Sequence, residues 1–189
     1  MRVIAGVAKG VRLAAPRGAT RPTTDLVREA VFSVFAGWAG TGGAGAARQL
    51  AGLSLLDLFA GSGAIAIEAA SRGAAPVVAV DSWAPAVAAM QANVGAVRLP
   101  VDVVRANVGT YLKGVPRPFD IVWLDPPYEQ DADAVLAGLG PWVAADGLVA
   151  LERAARSQTP AWPPGLVPAW AKRYGETVVY FARPDKEAP

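Results

Sequence analysis

From Ser54 onward, short apolar runs alternate with segments in which apolar residues recur at helical spacing. The runs predict buried strands at residues 55–58, 77–80, 101–105, 119–124, 148–152 and 177–182. The segments between them predict helices at residues 64–71, 84–94 and 132–139. Continuous apolar strands that alternate with helices are typical of a parallel sheet covered on both faces. We therefore expect an α/β domain over residues 51–189.

The first 50 residues follow a different pattern. Two apolar stretches around a turn at Lys9 and Gly10 predict a β-hairpin within residues 1–15, and Thr24 or Asp25 begins a helix that ends near residue 36. Residues 37–50 are rich in Gly and Ala, have little to pack, and are interpreted as a mobile linker. We expect residues 1–36 to form an extension of the main domain. A Pro- and Trp-rich stretch at residues 159–170 predicts a loop.

Composition limits the possible chemistry. The chain has 189 residues, of which 53% are hydrophobic, with neither cysteine nor histidine. Thiolate zinc sites, cysteine nucleophiles and Ser-His-Asp triads are therefore excluded. Catalysis must use carboxylates, amides, backbone groups or a bound cofactor, and we expect no metal. The sequence shows neither an apolar leader nor a run long enough to span a bilayer, so we expect a cytoplasmic protein with no membrane partner.

Charge is distributed unevenly along the chain. Residues 1–30 contain six basic and two acidic residues, whereas the remainder contains 12 basic and 14 acidic residues. A localised positive segment favours contact with a polyanion such as a nucleic acid. An exposed segment also carries such charges simply because they are well hydrated, and the asymmetry alone leaves both interpretations open.

The most informative motif is Asp125-Pro126-Pro127-Tyr128, which follows the predicted strand at residues 119–124. Ligands of open α/β sheets bind at the carboxyl ends of the strands. The carboxylate and the proline carbonyls would accept hydrogen bonds there, and the tyrosine ring offers a face for stacking. These groups suit a base that carries an exocyclic amine. An ordinary turn after a strand can have the same composition, so this motif alone does not establish a binding site. A second motif is needed to support that interpretation.

That second motif is a glycine-containing loop between the strand at residues 55–58 and the following helix. Gly61 and Gly63 permit a tight turn and a close approach to a ligand, and Asp81 at the end of the next strand can bind ribose hydroxyls. This pattern also fits a dinucleotide site or a purely structural turn. Asp57 disfavours a nearby pyrophosphate, because the negative charges would repel, and suits the cationic end of S-adenosylmethionine.

Asn107 follows the third predicted strand and has two comparable interpretations. Its side-chain amide could bind the adenine of the cofactor, or it could cap a helix at residues 108–112. The residues expected to contact the cofactor are Asp57, Phe59, Ala60, Gly61, Gly63, Asp81, Ser82, Asn107 and Val108.

Taken together, the two motifs resemble those of class I, Rossmann-like methyltransferases that act on exocyclic amines. Residues 2–6, 9–13, 20–32, 67–74 and 173–177 narrow this resemblance to the RsmD family. The resemblance implies a mostly parallel seven-stranded sheet with helices on both faces, plus an N-terminal β-hairpin. It also implies S-adenosylmethionine as the cofactor and the N2 amine of a guanine in small-subunit (16S) ribosomal RNA as the target.

In this interpretation Asp125 and the Pro126 carbonyl accept the hydrogens of the amine, Pro127 shapes the turn, and Tyr128 stacks on the base. Arg12, Arg21 and Arg28 would contact phosphates, with Thr23 at the entrance. We expect a monomer that acts on ribosomal RNA, within a small-subunit assembly particle. Arg21 and Arg28 could instead pair with Asp25 and Glu29 inside their own helix.

Other functions remain compatible with the motifs. The same amine-accepting pocket would serve N6 of adenine in DNA or RNA, or a glutamine amide in a protein. The absence of an obvious target-recognition domain argues against a sequence-specific DNA enzyme. A nicotinamide-dependent oxidoreductase fits the glycine loop alone. The intact Asp57 and Asp125 argue against an RNA-binding scaffold that has lost turnover.

Overall fold

The computed structural model describes residues 1–16, 18, 24–127 and 132–187. Its strands are β1 Leu55–Leu58, β2 Val77–Asp81, β3 Asp102–Arg105, β4 Phe119–Leu124, β5 Val143–Ala154, β6 Leu166–Tyr174 and β7 Thr177–Pro184. Its α-helices are α1 Asp25–Trp38, α2 Ala64–Ser71, α3 Ala84–Val97, α4 Val108–Tyr111 and α5 Ala132–Leu136. The predicted alternation of strands and helices is confirmed.

The strands form one sheet in the order β3-β2-β1-β4-β5-β7-β6. Strands β1 to β5 run parallel, and β7 pairs antiparallel with both β5 and β6. The chain winds outward from β1 to β3 and then returns to place β4 on the other side of β1. This reversal makes a crevice at the carboxyl ends of β1 and β4, where ligands bind in open α/β folds. The predicted seven-stranded, mostly parallel sheet is confirmed.

The prediction of a loop over residues 159–170 is partly wrong, because β6 begins at Leu166. This strand lies at the edge of the sheet, and most of its side chains are exposed, so it lacks the apolar run that marks the inner strands. Its pairing is also irregular between Pro168 and Trp170. Proline is tolerated at a sheet edge, where its missing N–H leaves no ladder partner unsatisfied.

Both faces of the sheet are covered by apolar side chains. On one face α1, α2 and α3 pack against Ile121, Trp123 and Phe181. On the other face Val108 of α4 and Leu136 of α5 pack with Phe119 and Trp142. Because helix α1 buries Phe32 and Phe35 in the first of these clusters, the predicted N-terminal extension contributes to the core of the main domain.

The N-terminal hairpin is present in a reduced form. Arg2 and Arg12 form a single antiparallel bridge, and the Val3 N–H donates to the Val11 carbonyl at 3.0 Å. Two such short segments are marginal in water without further support. Helix α2 supplies that support. The buried Glu68 carboxylate accepts from the N–H groups of Ile4 at 2.7 Å and Ala5 at 2.9 Å.

The same helix fixes the hairpin at two further points. The Ser71 hydroxyl accepts from the Ala8 N–H and donates to the Ala5 carbonyl. Gly6, with φ of +83°, lies so close that an added Cβ would be 1.9 Å from the Ser71 carbonyl oxygen. Only a residue without a side chain allows this approach. Side chains of the main domain therefore complete the hydrogen bonding of the hairpin backbone.

The predicted linker at residues 37–50 contains turns and a short 3₁₀ helix, Ala46–Arg48. Its C-terminal end is anchored, since Leu50 is fully buried and its N–H donates to the Arg72 carbonyl at 2.9 Å. The Gln49 side chain also accepts from the Arg72 guanidinium. The mobility of the linker stays a prediction.

Replacing Glu68 with glutamine should destabilise the protein by about 2–4 kcal/mol, because a buried, paired carboxylate that serves three donors is lost. Its third donor is the Arg72 guanidinium, 2.8 Å away. Urea unfolding measures the effect. The matched control is Asp146→Asn, which breaks an exposed ion pair with Lys186 and should leave the free energy of unfolding nearly unchanged. Equal effects of the two variants would contradict the anchoring role of Glu68.

Candidate active site

A cleft of roughly 300 Å³ opens at the carboxyl edge of the sheet, beside the reversal between β1 and β4. This volume is at the lower end of the range for small-molecule sites. The residues that line it are Phe59, Asp81, Ser82, Trp83, Asn107, Val108, Asp125 and Pro127. Seven of these eight were predicted from the sequence. The structure therefore brings the two predicted motifs to one cleft.

The glycine loop follows β1 and contributes Phe59 to the lining of the cleft. The Ala60 N–H donates to the Val80 carbonyl at 3.0 Å, which holds the loop against β2. Gly63 has φ of +76°, and an added Cβ there would lie 2.7 Å from Cγ of Met90 on α3. Phe59 also has a positive φ, +64°, which costs a non-glycine residue about 1–3 kcal/mol. The loop thus holds a strained residue at the wall of the cleft.

Asp57 lies behind this loop and does not line the cleft. It is 1% exposed, and its Oδ2 accepts from the Ala66 N–H of α2 at 3.1 Å. Burial raises its pKa well above the ordinary value, and the nearby carboxylates of Asp125 and Asp81 raise it further. Asp57 can therefore influence a ligand through the N-terminus of α2, and its predicted direct contact with the cofactor stays a prediction.

Asp81 fastens two parts of the cleft wall to each other. Its Oδ2 accepts from the Gly61 N–H and its Oδ1 from the Trp83 N–H, both at 2.8 Å. Each carboxylate oxygen has a second lone pair, so the group can still accept from the hydroxyls of a ribose. Ser82 is exposed beside it.

Asn107 serves the structural role that was one of its two interpretations. Its Oδ1 accepts from the Thr110 N–H at 3.3 Å and caps helix α4. The residue also lines the cleft, next to the buried Val108. A contact with adenine therefore stays a prediction, and it is compatible with the cap because the amide has two further N–H donors.

Trp83 is the lining residue that the sequence analysis missed. Its side chain is 42% exposed, which is unusual for a residue of this size. An added Cβ on Gly18 would be 3.8 Å from the tryptophan ring, so the N-terminal segment passes close to it. An aromatic residue two positions after Asp81, at the start of a helix, was the available signal. Its ring can stack on the planar part of a ligand.

Asp125 follows β4 directly and is partly buried, and its N–H donates to the Leu58 carbonyl at 3.4 Å. Pro126 is buried, whereas Pro127 is exposed at the cleft. The carboxylate thus lies at the boundary between the cleft and the solvent. Tyr128 lies outside the described residues.

The predicted phosphate contacts have different outcomes. Arg12 is exposed on the hairpin, as its proposed role requires, and Arg21 and Thr23 lie outside the described residues. The prediction for Arg28 is not supported, because this side chain is fully buried. It pairs with Asp25 at 3.0 Å and donates to the Arg2 carbonyl. Burial lowers the pKa of this arginine. The alternative pairing within its own helix is the one observed.

Residues 1–183 match a protein family described as Conserved hypothetical protein 95. The chain belongs to this family. "Putative rRNA methyltransferase YlbH" of Bacillus subtilis is 34% identical over 188 residues, which cover 95% of this chain and 96% of the relative. Ribosomal RNA small subunit methyltransferase D of Escherichia coli is 30% identical over 169 residues, or 86% of this chain and 79% of the relative. The predicted membership of the RsmD family is confirmed.

Solved structures of similar proteins agree. "Putative methyltransferase yhhF" from Escherichia coli superposes with a TM-score of 0.84 at 25% identity, covering 99% of both chains. A hypothetical protein from Thermus thermophilus gives a TM-score of 0.79 at 28% identity, covering 97% of this chain and 99% of that one. The predicted class I methyltransferase fold is thereby confirmed. The predicted cofactor, S-adenosylmethionine, is the one that the methyltransferase relatives imply.

Metal-binding clusters and membrane-spanning helices are both absent from the described part of the chain. No group of three or more acidic side chains there is placed to hold a metal ion. None of its helices combines the length and the apolar character needed to cross a lipid bilayer.

Trp83→Ala should weaken the binding of S-adenosylmethionine by roughly tenfold or more, because stacking of a base on an aromatic ring contributes about 1–3 kcal/mol. Isothermal titration calorimetry measures the dissociation constant. Trp83→Phe keeps a ring and should lose much less. Trp170→Ala is a matched control, since Trp170 has a similar exposure of 38% but lies on the edge strand β6. If Trp83→Ala and Trp170→Ala bind the cofactor equally well, Trp83 has no stacking role.

Burial of Asp57 predicts a specific pH dependence. Its raised pKa means that the folded chain holds the proton more tightly than the unfolded chain, whose value is near the ordinary 3.8. This group's contribution to stability is therefore present at low pH and lost as the pH rises through the raised pKa. Asp57→Asn should remove that loss. Urea unfolding between about pH 4 and about pH 8 should show the variant gaining stability relative to the native chain. A constant difference across the series would refute this.

Proposed function

We propose that this protein transfers a methyl group from S-adenosylmethionine to the exocyclic N2 amine of a guanine in small-subunit ribosomal RNA. The observation that carries the proposal is the position of Asp125 and Pro127 on the wall of the same cleft as Asp81 and Asn107. One end of the cleft suits a nucleoside, and the other presents acceptors for an amine. The names of the Escherichia coli and Bacillus subtilis relatives support ribosomal RNA as the substrate.

The residues of the cleft fit the proposed cofactor. Asp81 would bind the ribose hydroxyls, Trp83 and Val108 would contact the adenine faces, and Asn107 would bind the adenine edge. Asp57 accepts from the Ala66 N–H and so satisfies one of the unpaired donors at the N-terminus of α2. A helix terminus with fewer free donors would repel the cationic aminoacyl group less than a bare one.

The chemistry needs a methyl group that leaves readily and an amine that can attack it. S-adenosylmethionine supplies the activated methyl group on a sulfonium sulfur. A guanine N2 amine is a weak nucleophile because its lone pair is delocalised into the ring. Asp125 and the Pro126 carbonyl would accept its two hydrogens, which favours a pyramidal nitrogen and orients the lone pair toward the methyl group.

Asp125 has a second role as charge develops. The attacking nitrogen would become positive as the new C–N bond forms and the bond from the methyl carbon to the sulfonium sulfur breaks, with the neutral thioether as leaving group. A carboxylate fixed at this point would stabilise that charge and accept the proton that the nitrogen then loses. Because the carboxylate is held at the end of a strand, it needs little reorganisation during the reaction. The partial burial of Asp125 strengthens this electrostatic effect relative to bulk water.

The target base must leave its helical stack to reach this cleft, as in other enzymes that modify bases. Tyr128 would stack on the extruded base, Arg12 and Arg21 would hold phosphates, and Thr23 would shape the entrance. Action as a monomer on an assembly particle also stays a prediction.

Asp125→Ala should reduce methyl transfer to small-subunit ribosomal RNA by about 100-fold or more, as expected for the loss of a group that stabilises developing charge. The assay incubates a ribosomal RNA transcript with S-adenosylmethionine and identifies the product nucleoside by mass spectrometry. Asp125→Asn keeps the shape without the charge and should be intermediate. Calorimetry serves as the control, because both variants should bind S-adenosylmethionine within a few-fold of the native affinity. Near-normal turnover of Asp125→Ala, or methylation at adenine N6, would overturn the proposal.

A further inference from the structure

On one side of Asp125, strand β5 and the β6–β7 hairpin extend beyond the carboxyl end of β4. Leu124, the last residue of β4, pairs with Leu151 of β5, and β5 then continues to Ala154. These additional residues pair with the first residues of β7, at Val178 and Thr177. The turn between β6 and β7 therefore projects at the active-site edge, and the hydrogen bond from the Ala155 N–H to the Glu176 carbonyl, at 2.8 Å, closes it against β5.

This surface carries four basic residues, Arg153, Arg156, Lys172 and Arg173, which we call the basic rim, and two acidic residues, Glu152 and Glu176, so its formal charge is positive. Arg153 and Arg173 both pair with Val178, from opposite sides, so their side chains emerge on one face of the sheet, whereas that of Lys172 emerges on the other face at the same end of the strand. Arg156, Lys172 and Arg173 are exposed.

Two arginines of the basic rim have unused hydrogen-bonding capacity. Nη1 of Arg153 is buried and has no hydrogen-bond partner within the residues that the structure describes. Nε of Arg173 donates to the Gly175 carbonyl at 2.9 Å, which fixes the exposed guanidinium at the turn and leaves its terminal N–H groups facing solvent. None of the four basic side chains forms an ion pair with another described residue. Buried donors of this kind call for an acceptor.

The position of the basic rim relative to Asp125 suggests what this acceptor is. Neighbouring strands lie about 4.8 Å apart, so β7 and β6 are roughly 10 Å and 15 Å from β4. A base inserted beside Asp125 would therefore leave its flanking phosphates within reach of long basic side chains. The hairpin with Arg12 packs on α2, which follows β1, and so lies across β4 from the basic rim.

We propose that the basic rim binds phosphates of the RNA that flanks the target base, on the side of the cleft opposite the N-terminal hairpin. This inference rests on the proposed function, because the ligand is the same RNA. It also gives a role to residues 173–177, a segment of the family resemblance that the cleft itself does not use. The RNA would be held on both sides of Asp125, with the target base between the two contacts.

The test compares two double variants with equal loss of charge. Lys172→Ala/Arg173→Ala removes two charges from the basic rim. Arg48→Ala/Arg183→Ala removes two exposed charges elsewhere, and Arg183 lies at the far end of the same β6–β7 hairpin, paired with Val167. Binding of each protein to a small-subunit ribosomal RNA transcript is measured at several salt concentrations.

The rim variant should bind the RNA about tenfold more weakly than the control variant near physiological salt. The slope of its log affinity against log salt concentration should be smaller in magnitude by about 1.5 than that of the control variant. Each phosphate contact contributes roughly 0.7 to 0.9 to this slope, and the variant loses two. Thermal melting and the affinity for S-adenosylmethionine should match the native chain, because these side chains lie on the exposed surface away from the cleft. Equal affinities and slopes for the two double variants would overturn the inference.

The outcome is separable from that of the proposed function. Guanine-N2 methylation by the native chain tests the reaction, whereas the difference between the two variants tests only the location of the RNA contact. If the native chain methylates this RNA and the rim variant binds it normally, the inference about the rim fails alone. If the native chain modifies another base, the proposed function fails. A loss of RNA binding in the rim variant alone would then still support the inference that the basic rim binds RNA.

Discussion

The site depends most on the two hydrogen bonds that the Asp81 carboxylate accepts from backbone N–H groups. One oxygen accepts from the Gly61 N–H in the glycine loop, and the other accepts from the Trp83 N–H at the start of α3. Two turns that follow different strands are thereby set at a fixed separation before any ligand arrives. The cost of ordering the cleft is largely met during folding, which is how a preorganised site gains affinity.

The strand pattern and the two motifs could be predicted because they follow from local rules. Buried parallel strands are apolar throughout, so β1, β2 and β4 are visible in the sequence, and a ligand site at their carboxyl ends follows from topology. The edge strand β6 could not be predicted in this way. Its exposed side chains carry no period that distinguishes it from a loop, and its existence depends on pairing with β7.

Tertiary packing also decided the cases that sequence spacing left ambiguous. Arg28 is basic and lies in a basic segment, yet helix α1 turns it inward beneath the hairpin, where it pairs with Asp25. Asp57 precedes the glycine loop, as a ligand-binding residue would, yet it is buried behind the loop against Ala66. In both cases the residue type was informative, but the direction of the side chain depends on helices that pack from elsewhere in the chain.

The division between chemistry and substrate selection follows from the same architecture. Asp125 directly follows a central strand that pairs with buried residues on both sides, in β1 and in the 148–151 part of β5, so its backbone is anchored in the core. The hairpin and the β6–β7 turn are built differently, from short or edge segments that rely on side-chain anchors such as Glu68. Such peripheral segments tolerate changes of sequence more readily than central strands do. A methyltransferase centre can therefore keep its geometry while the segments on either side of it change in sequence.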